Sequence, residues 1–168
     1  NMLRCMSNNF SIQQFWRGWH SSFNLWIVRY MYKPMGGSKS RIWSMFIIFT
    51  FVAIWHDIEL KLLAWGFLNS GFMVVEMIAG KVTDSAAYNS LSFPVRRLLA
   101  DMSGGIYIMI LIGVNLVGYS IGVGGAGSVF EKLLSWDGLQ ATLVGYVLFS
   151  SGVNIMMLLR DYGYTSNL

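Results

Sequence analysis

The triplet Trp55-His56-Asp57 closes an apolar run that begins at Ile42, and a histidine in that place is the sharpest chemical feature of the chain. A titratable side chain in or near hydrocarbon is costly and marks a candidate functional site. Burial disfavours the charged imidazolium, so a neutral imidazole at that depth is fit to accept a proton near pH 7. An interfacial histidine at a helix end is the plainer alternative, and position alone leaves both open. On a regular helix Asp57 points away from His56, whereas Glu59, three residues on, lies on its side. No His-Asp pair follows from the sequence.

His20, in Trp16-Arg17-Gly18-Trp19-His20-Ser21, sits on the polar stripe of a tryptophan-rich segment. There it either binds a substrate hydroxyl or caps an interfacial face. Cys5 is a thiol nucleophile in principle, but no histidine neighbours it in sequence to make it a thiolate. The Gly122-x-Gly124-x-x-Gly127 spacing matches a dinucleotide fingerprint in letters only, because it follows an apolar run rather than a strand and no βαβ unit surrounds it. Glu76, inside another apolar run, either pairs with a polar group or marks a pathway. One cysteine excludes an internal disulfide, and with only two histidines beside it no metal site is expected.

The elements that must position these residues are membrane helices. The 168 residues are 55% hydrophobic and 12% charged, with a mean hydropathy of +0.52, whereas ordinary soluble domains carry about 25% charged residues. Four apolar stretches stand out, at 42–55, 60–79, 106–123 and 139–159. The last three approach the roughly 20 residues that a spanning helix needs. The first rises only about 21 Å, so a helix there ends inside a hydrocarbon core of about 30 Å. Between the runs, the spacing predicts a turn at 33–41 with Pro34, Gly36 and Gly37, a very short link at 57–59, a loop over 80–105 and a glycine-rich loop over 124–138.

Residues 11–32 are too polar to span, yet they predict a helix that lies in the interface or dips into the protein. Ser11 with Gln14 fits a capping box, and Phe15, Trp19, Phe23, Trp26 and Tyr30 form an apolar stripe. Residues 1–41 hold six basic residues and no acidic one. Placing that segment in the cytoplasm puts ten of the twelve basic residues on one side, against Lys61 and Lys132 opposite. The positive-inside rule then predicts a cytosolic C-terminus. The same charge bias argues for retention in the cytosol rather than for nucleic acid, and the sequon Asn9-Phe10-Ser11 is expected to stay unmodified. The fold class expected is all-α and multi-pass, with one interfacial or re-entrant helix and about four membrane spans. Asn1 is not an initiator and no signal peptide follows it, so a piece of a longer chain is expected.

The ordered series Phe15-Trp16-Arg17-Gly18-Trp19-His20-Ser21-Ser22, then Arg29-Tyr30-Met31-Tyr32-Lys33-Pro34-Met35-Gly36-Gly37, then Phe51-Val52-Ala53-Ile54-Trp55-His56-Asp57 resembles the membrane-bound O-acyltransferase (MBOAT) family. Arg4-Cys5-Met6-Ser7-Asn8-Asn9-Phe10 and Phe23-Asn24-Leu25-Trp26-Ile27-Val28-Arg29-Tyr30 look most like its glycerol uptake branch, relatives of Hedgehog acyltransferase. The motifs cover about the first 70 residues, and the rest matches as a series of C-terminal spans. The resemblance implies that residues 1–168 are the C-terminal portion of a single MBOAT domain, with further spans upstream.

It also implies the site. The family's catalytic histidine falls on His56 and its second signature position on His20, with Trp19, Asn24, Trp55 and Asp57 as substrate-binding positions. The implied reaction transfers a fatty acyl group from acyl-CoA, a co-substrate rather than a cofactor, to a hydroxyl acceptor in the endoplasmic reticulum membrane. The acceptor expected is a glycerolipid or a lyso-glycosylphosphatidylinositol anchor undergoing remodelling. The alternatives are a glycerol transporter, for which the 106–123 run offers only Tyr107, Asn115 and Tyr119 as larger polar side chains, and a regulator of protein palmitoylation. Partners implied are acyl-CoA and a lipid acceptor.

Overall fold

The computed structural model describes residues 9–163, so Arg4 and Cys5 lie outside the described residues. Among those described, all regular structure is helical. Helix α1 (Ile12–Gly18) starts as its sequence requires: Ser11 is the N-cap, and its Oγ accepts the Gln14 N–H at 3.1 Å. The helix expected over 11–32 does not continue. His20 takes a left-handed conformation (φ 47, ψ 61) between α1 and α2 (Ser21–Ile27), and a π-turn over Val28–Tyr32 comes next. Gly18 loosens the backbone before the break, and the rings on either side dock on different partners. Trp16 meets Phe49 and Trp65, whereas Phe23 stacks on Trp55.

Gly36, at φ +101, makes the expected turn before a single 3₁₀ turn, Gly37–Ser40. Next come α3 (Arg41–His56), α4 (Leu60–Thr83), the one-turn α5 (Ala86–Asn89), α6 (Phe93–Leu116), a second π-turn (Val117–Ile121), α7 (Gly122–Leu134) and α8 (Trp136–Asp161). Among the described residues, three helical stretches are long and apolar enough to cross a membrane: Leu60–Thr83, Phe93–Leu134 and Trp136–Asp161. The 16-residue α3 is shorter; it rises about 24 Å at 1.5 Å per residue.

Two expected loops are mostly helix. Within 80–105, α4 runs on to Thr83 and α6 already begins at Phe93. Pro94 sits in the first turn of α6, where its missing N–H leaves no intrahelical bond unmade. The glycine-rich 124–138 segment holds α7 and the start of α8. Glycine costs about 1 kcal/mol in a helix interior, but the four α7 glycines lie in its first six residues and Val129, Phe130, Leu133 and Leu134 follow them.

Helices α3 and α4 form a hairpin joined by residues 57–59, the short link that the sequence indicates. Gly66 lets them touch, since a Cβ there would sit 2.8 Å from the Phe49 carbonyl oxygen. Helices α6 and α8 meet in the same manner, with Gly104 against Val153 and Gly105 against Ser150. Small residues at both contacts are how membrane helices gain van der Waals packing without a hydrophobic force between them. Helix α1 inserts into this frame and packs on α4 and α6. Its contacts are specific: the Gln13 N–H donates to Glu76 Oε2 of α4 at 3.0 Å, and Phe10 approaches Gly104 in the middle of α6. The carboxylate of Glu76 thus meets the positive end of α1, which gives an intramembrane acid a partner.

Candidate active site

His56 is the last residue of α3, followed by Asp57 in extended backbone. Its imidazole is exposed on this chain and lines a cavity of about 780 Å³ together with Trp19, Asn115, Tyr119 and Ser120. The remaining walls are mainly apolar, Leu111, Ile112 and Phe149 among them. The imidazole meets three rings: Trp55 at 5.1 Å between centroids, Tyr119 at 5.8 Å and Trp65 at 6.1 Å. Tyr119 and Trp65 stand nearly perpendicular to it, at 88° and 89°, within the preferred geometry of aromatic pairs.

Asp57 does not face His56. Its Oδ1 accepts the Ile58 N–H at 2.7 Å and ends the helix hairpin's tip. Glu59 does not reach the imidazole either, but forms an ion pair with Lys61 at 2.6 Å. The sequence expectation that Asp57 turns away is met, and the option left to Glu59 is taken by a lysine.

Behind the imidazole lies a polar ladder buried in an aromatic core. The Trp16 Nε1–H donates to Asn69 Oδ1 at 3.1 Å, and Asn69 Nδ2 donates back to the Trp65 carbonyl at 2.9 Å. The Trp65 Nε1–H donates to Asn115 Oδ1 at 3.1 Å, and Asn115 Nδ2 donates to the Leu111 carbonyl at 2.7 Å. Each asparagine thus uses both its acceptor and its donor. Trp65 and Asn69 are each 1% exposed, where an unpaired indole N–H or amide is expensive. The ladder ties α1, α4 and α6 into one wall behind His56.

A second cavity, of about 340 Å³, lies on the other side of Trp16 and Trp19, which line both. Its polar edge carries Arg17, Asn24 and Arg41, and its floor is apolar, with Met45, Phe49 and Met73. The Arg41 Nη2 donates to Gln13 Oε1 at 2.7 Å, so this guanidinium is held by the same residue whose N–H engages Glu76.

Residues 1–121 match the MBOAT, membrane-bound O-acyltransferase family. The chain belongs to that family. It is 41% identical over 167 residues to membrane-bound O-acyltransferase GUP1 of Candida tropicalis, a match covering 96% of this chain and 27% of that protein. It is 38% identical over 161 residues to membrane-bound O-acyltransferase gup1 of Schizosaccharomyces pombe, covering 95% of this chain and 27% of the relative. A more distant bacterial match is the probable alginate O-acetylase AlgI of Pseudomonas fluorescens, 26% identical over 101 residues, or 58% of this chain and 20% of that one. The chain therefore spans a little over a quarter of the length of these yeast MBOAT proteins.

The site residues expected from the sequence do not share one cavity. His56 and Trp19 line the larger one, Trp19 and Asn24 the smaller, and His20 neither. His20 is exposed at the break between α1 and α2, with its ring against Trp19 at 5.5 Å and Phe23 at 5.8 Å. Trp55 stacks on Phe23 at 5.1 Å and is 57% exposed. Among the described residues no group of three or more His, Cys, Asp or Glu could hold a metal ion. Sequence reasoning missed Asn69 outright. Asn115 and Tyr119 were visible only as polar residues in an apolar run, with nothing to say that they face His56.

Proposed function

We propose that the chain is the C-terminal, catalytic portion of an acyl-CoA-dependent O-acyltransferase, with His56 as general base. One observation carries this reading: His56 ends a short helix and opens into a largely apolar cavity with Asn115, Tyr119 and Ser120 beside it. A fatty acyl chain fits the largely apolar walls of that cavity. The imidazole takes the acceptor's hydroxyl proton as that oxygen attacks the thioester carbonyl. Collapse of the tetrahedral adduct breaks the carbon–sulfur bond, and the imidazolium returns the proton to the departing thiolate. The products are an ester and free coenzyme A. His20, outside both cavities, positions the acceptor from the α1–α2 break rather than taking part in proton transfer.

We assign the acceptor to the glycerolipid class, including a lyso-glycosylphosphatidylinositol anchor, and the site of action to the endoplasmic reticulum membrane. The C-terminus lies in the cytosol on this reading. Arg97 near the start of α6 pairs with Asp161 at the end of α8 at 2.7 Å. The start of α6 and the end of α8 thereby share one side, as the positive-inside count over the basic residues requires.

The test is to supply labelled acyl-CoA to membranes containing the full-length protein and identify the labelled lipid. His56→Ala should lower transfer by about 10²- to 10⁴-fold, the worth of a general base and roughly 3 to 5 kcal/mol of barrier. Membrane insertion should persist, since the change leaves no unpaired charge. Normal turnover in a stable His56→Ala protein refutes the base assignment.

A further inference from the structure

We propose that Tyr119 is a positioning residue for His56, set in place by the π-turn over Val117–Ile121. The inference rests on the reading of His56 as the base. Among the described residues, the contacts that orient this imidazole are rings, namely Trp55, Trp65 and Tyr119. His56 is the last residue of α3, so the preceding turn narrows its χ1 but leaves χ2 broad. Neighbouring rings must choose the rotamer.

Three residues close in sequence do so. Asn115 at the end of α6, and Gly118 and Tyr119 in the π-turn after it, all meet the Trp65 indole. Asn115 fixes the Trp65 indole through its N–H. Gly118 lets the backbone close on that indole, because a Cβ there would lie 2.6 Å from the Trp65 ring. That approach brings the Tyr119 ring to 5.6 Å from Trp65 and 5.8 Å from His56. The turn is of π type and ends at Gly122, whose φ of +72 breaks the helix where α7 begins. Such turns recur at functional sites. Three rings, His56, Trp65 and Tyr119, then stand mutually edge to face, each pair between 75° and 89°. The imidazole is thereby aimed into the cavity that Tyr119 also lines.

The experiment compares Tyr119→Leu and Tyr119→Phe in the full-length protein in membranes, with kcat and both KM values measured per folded enzyme. Misplacing a base by about 1 Å costs up to about 10²-fold. Tyr119→Leu should therefore lower kcat by about 10- to 100-fold, with KM for acyl-CoA and acceptor within about twofold. Tyr119→Phe, which keeps the ring, should restore turnover. If Tyr119→Leu fails to accumulate, Tyr119→Met is read on the same scale. Unchanged kcat in Tyr119→Leu, or a rise in KM alone, overturns the positioning role, as does an equal loss in Tyr119→Phe, which would assign the effect to the hydroxyl. His56→Ala measured alongside separates the two ideas. Its inactivity beside a normal Tyr119→Leu sinks only the positioning role, whereas normal turnover in His56→Ala sinks the base and the positioning role together.

Discussion

The indole N–H of Trp65 donates to Asn115 Oδ1 across 3.1 Å, joining the helix that comes after His56 to the helix that leads into Tyr119. Trp65 is 1% exposed and contacts Trp16, Phe49, His56 and Tyr119 through its ring. One hydrogen bond thus fixes the ring against which the candidate base leans.

Removing the acceptor should show in stability first. Asn115→Leu leaves a buried indole N–H unpaired, at a cost of about 1–3 kcal/mol. Thermal unfolding of the full-length protein in detergent should report a lower midpoint than wild type. An unchanged midpoint would mean that the Trp65–Asn115 bond carries no net stability.

Gly118→Ala tests the close approach. The added methyl would lie 2.6 Å from the Trp65 ring, so helix or indole must move, and overpacking of this kind costs about 1–3 kcal/mol. Gly71→Ala is the control, since nothing lies within 4 Å of a Cβ there. The two variants should separate in the same unfolding assay, with only Gly118→Ala destabilised.

The contact between Glu76 and the first turn of α1 should distinguish two substitutions. Glu76→Ala strips the Gln13 N–H of its acceptor and should cost about 1 kcal/mol, as a lost cap does. Glu76→Gln keeps a carbonyl oxygen at the same place and should cost less. Protease sensitivity of the 9–20 segment provides the readout, rising more in Glu76→Ala.

Asp57→Asn should leave turnover within a few-fold of wild type, unlike His56→Ala. Asp57 Oδ1 accepts the Ile58 N–H, and an asparagine side chain can accept it equally. His20→Ala should fall between the two. A loss in Asp57→Asn as deep as in His56→Ala would place that carboxylate in the reaction.

A tag placed after Leu168 should be digested by protease added to intact microsomes. Protection would invert the orientation and with it the cytosolic placement of the basic segment.

Local signals in the sequence translate into structure where the partners are near in the chain. Ser11 caps Gln14 three residues away, Gly36 makes its turn, and the 57–59 link joins two antiparallel helices. The MBOAT motifs point to His56, which the fold does bring to a cavity wall. The features that stayed hidden depend on partners about fifty residues away. Trp16 pairs with Asn69 across 53 positions and Trp65 with Asn115 across 50, and neither asparagine differs locally from any polar residue in an apolar run. The His20 break was hidden for the same reason: rings docking on distant helices override the local helical period. For α7, a glycine-rich composition signals a loop, yet the segment closes a helix over Gly122–Leu134.

Helix α3 also bears on the shape of the lipid around the protein. If Arg41 sits at one headgroup level, a rise of about 24 Å leaves Asp57, Glu59 and Lys61 about 6 Å short of the opposite one. Charged groups do not stay in hydrocarbon, so headgroups and water come down to them and the bilayer forms a dimple at the helix tip. On the proposed reaction, the dimple shortens an acceptor's way to the imidazole. A thicker bilayer deepens it at an elastic cost, which couples the tip of α3 to the thickness of the membrane that holds it.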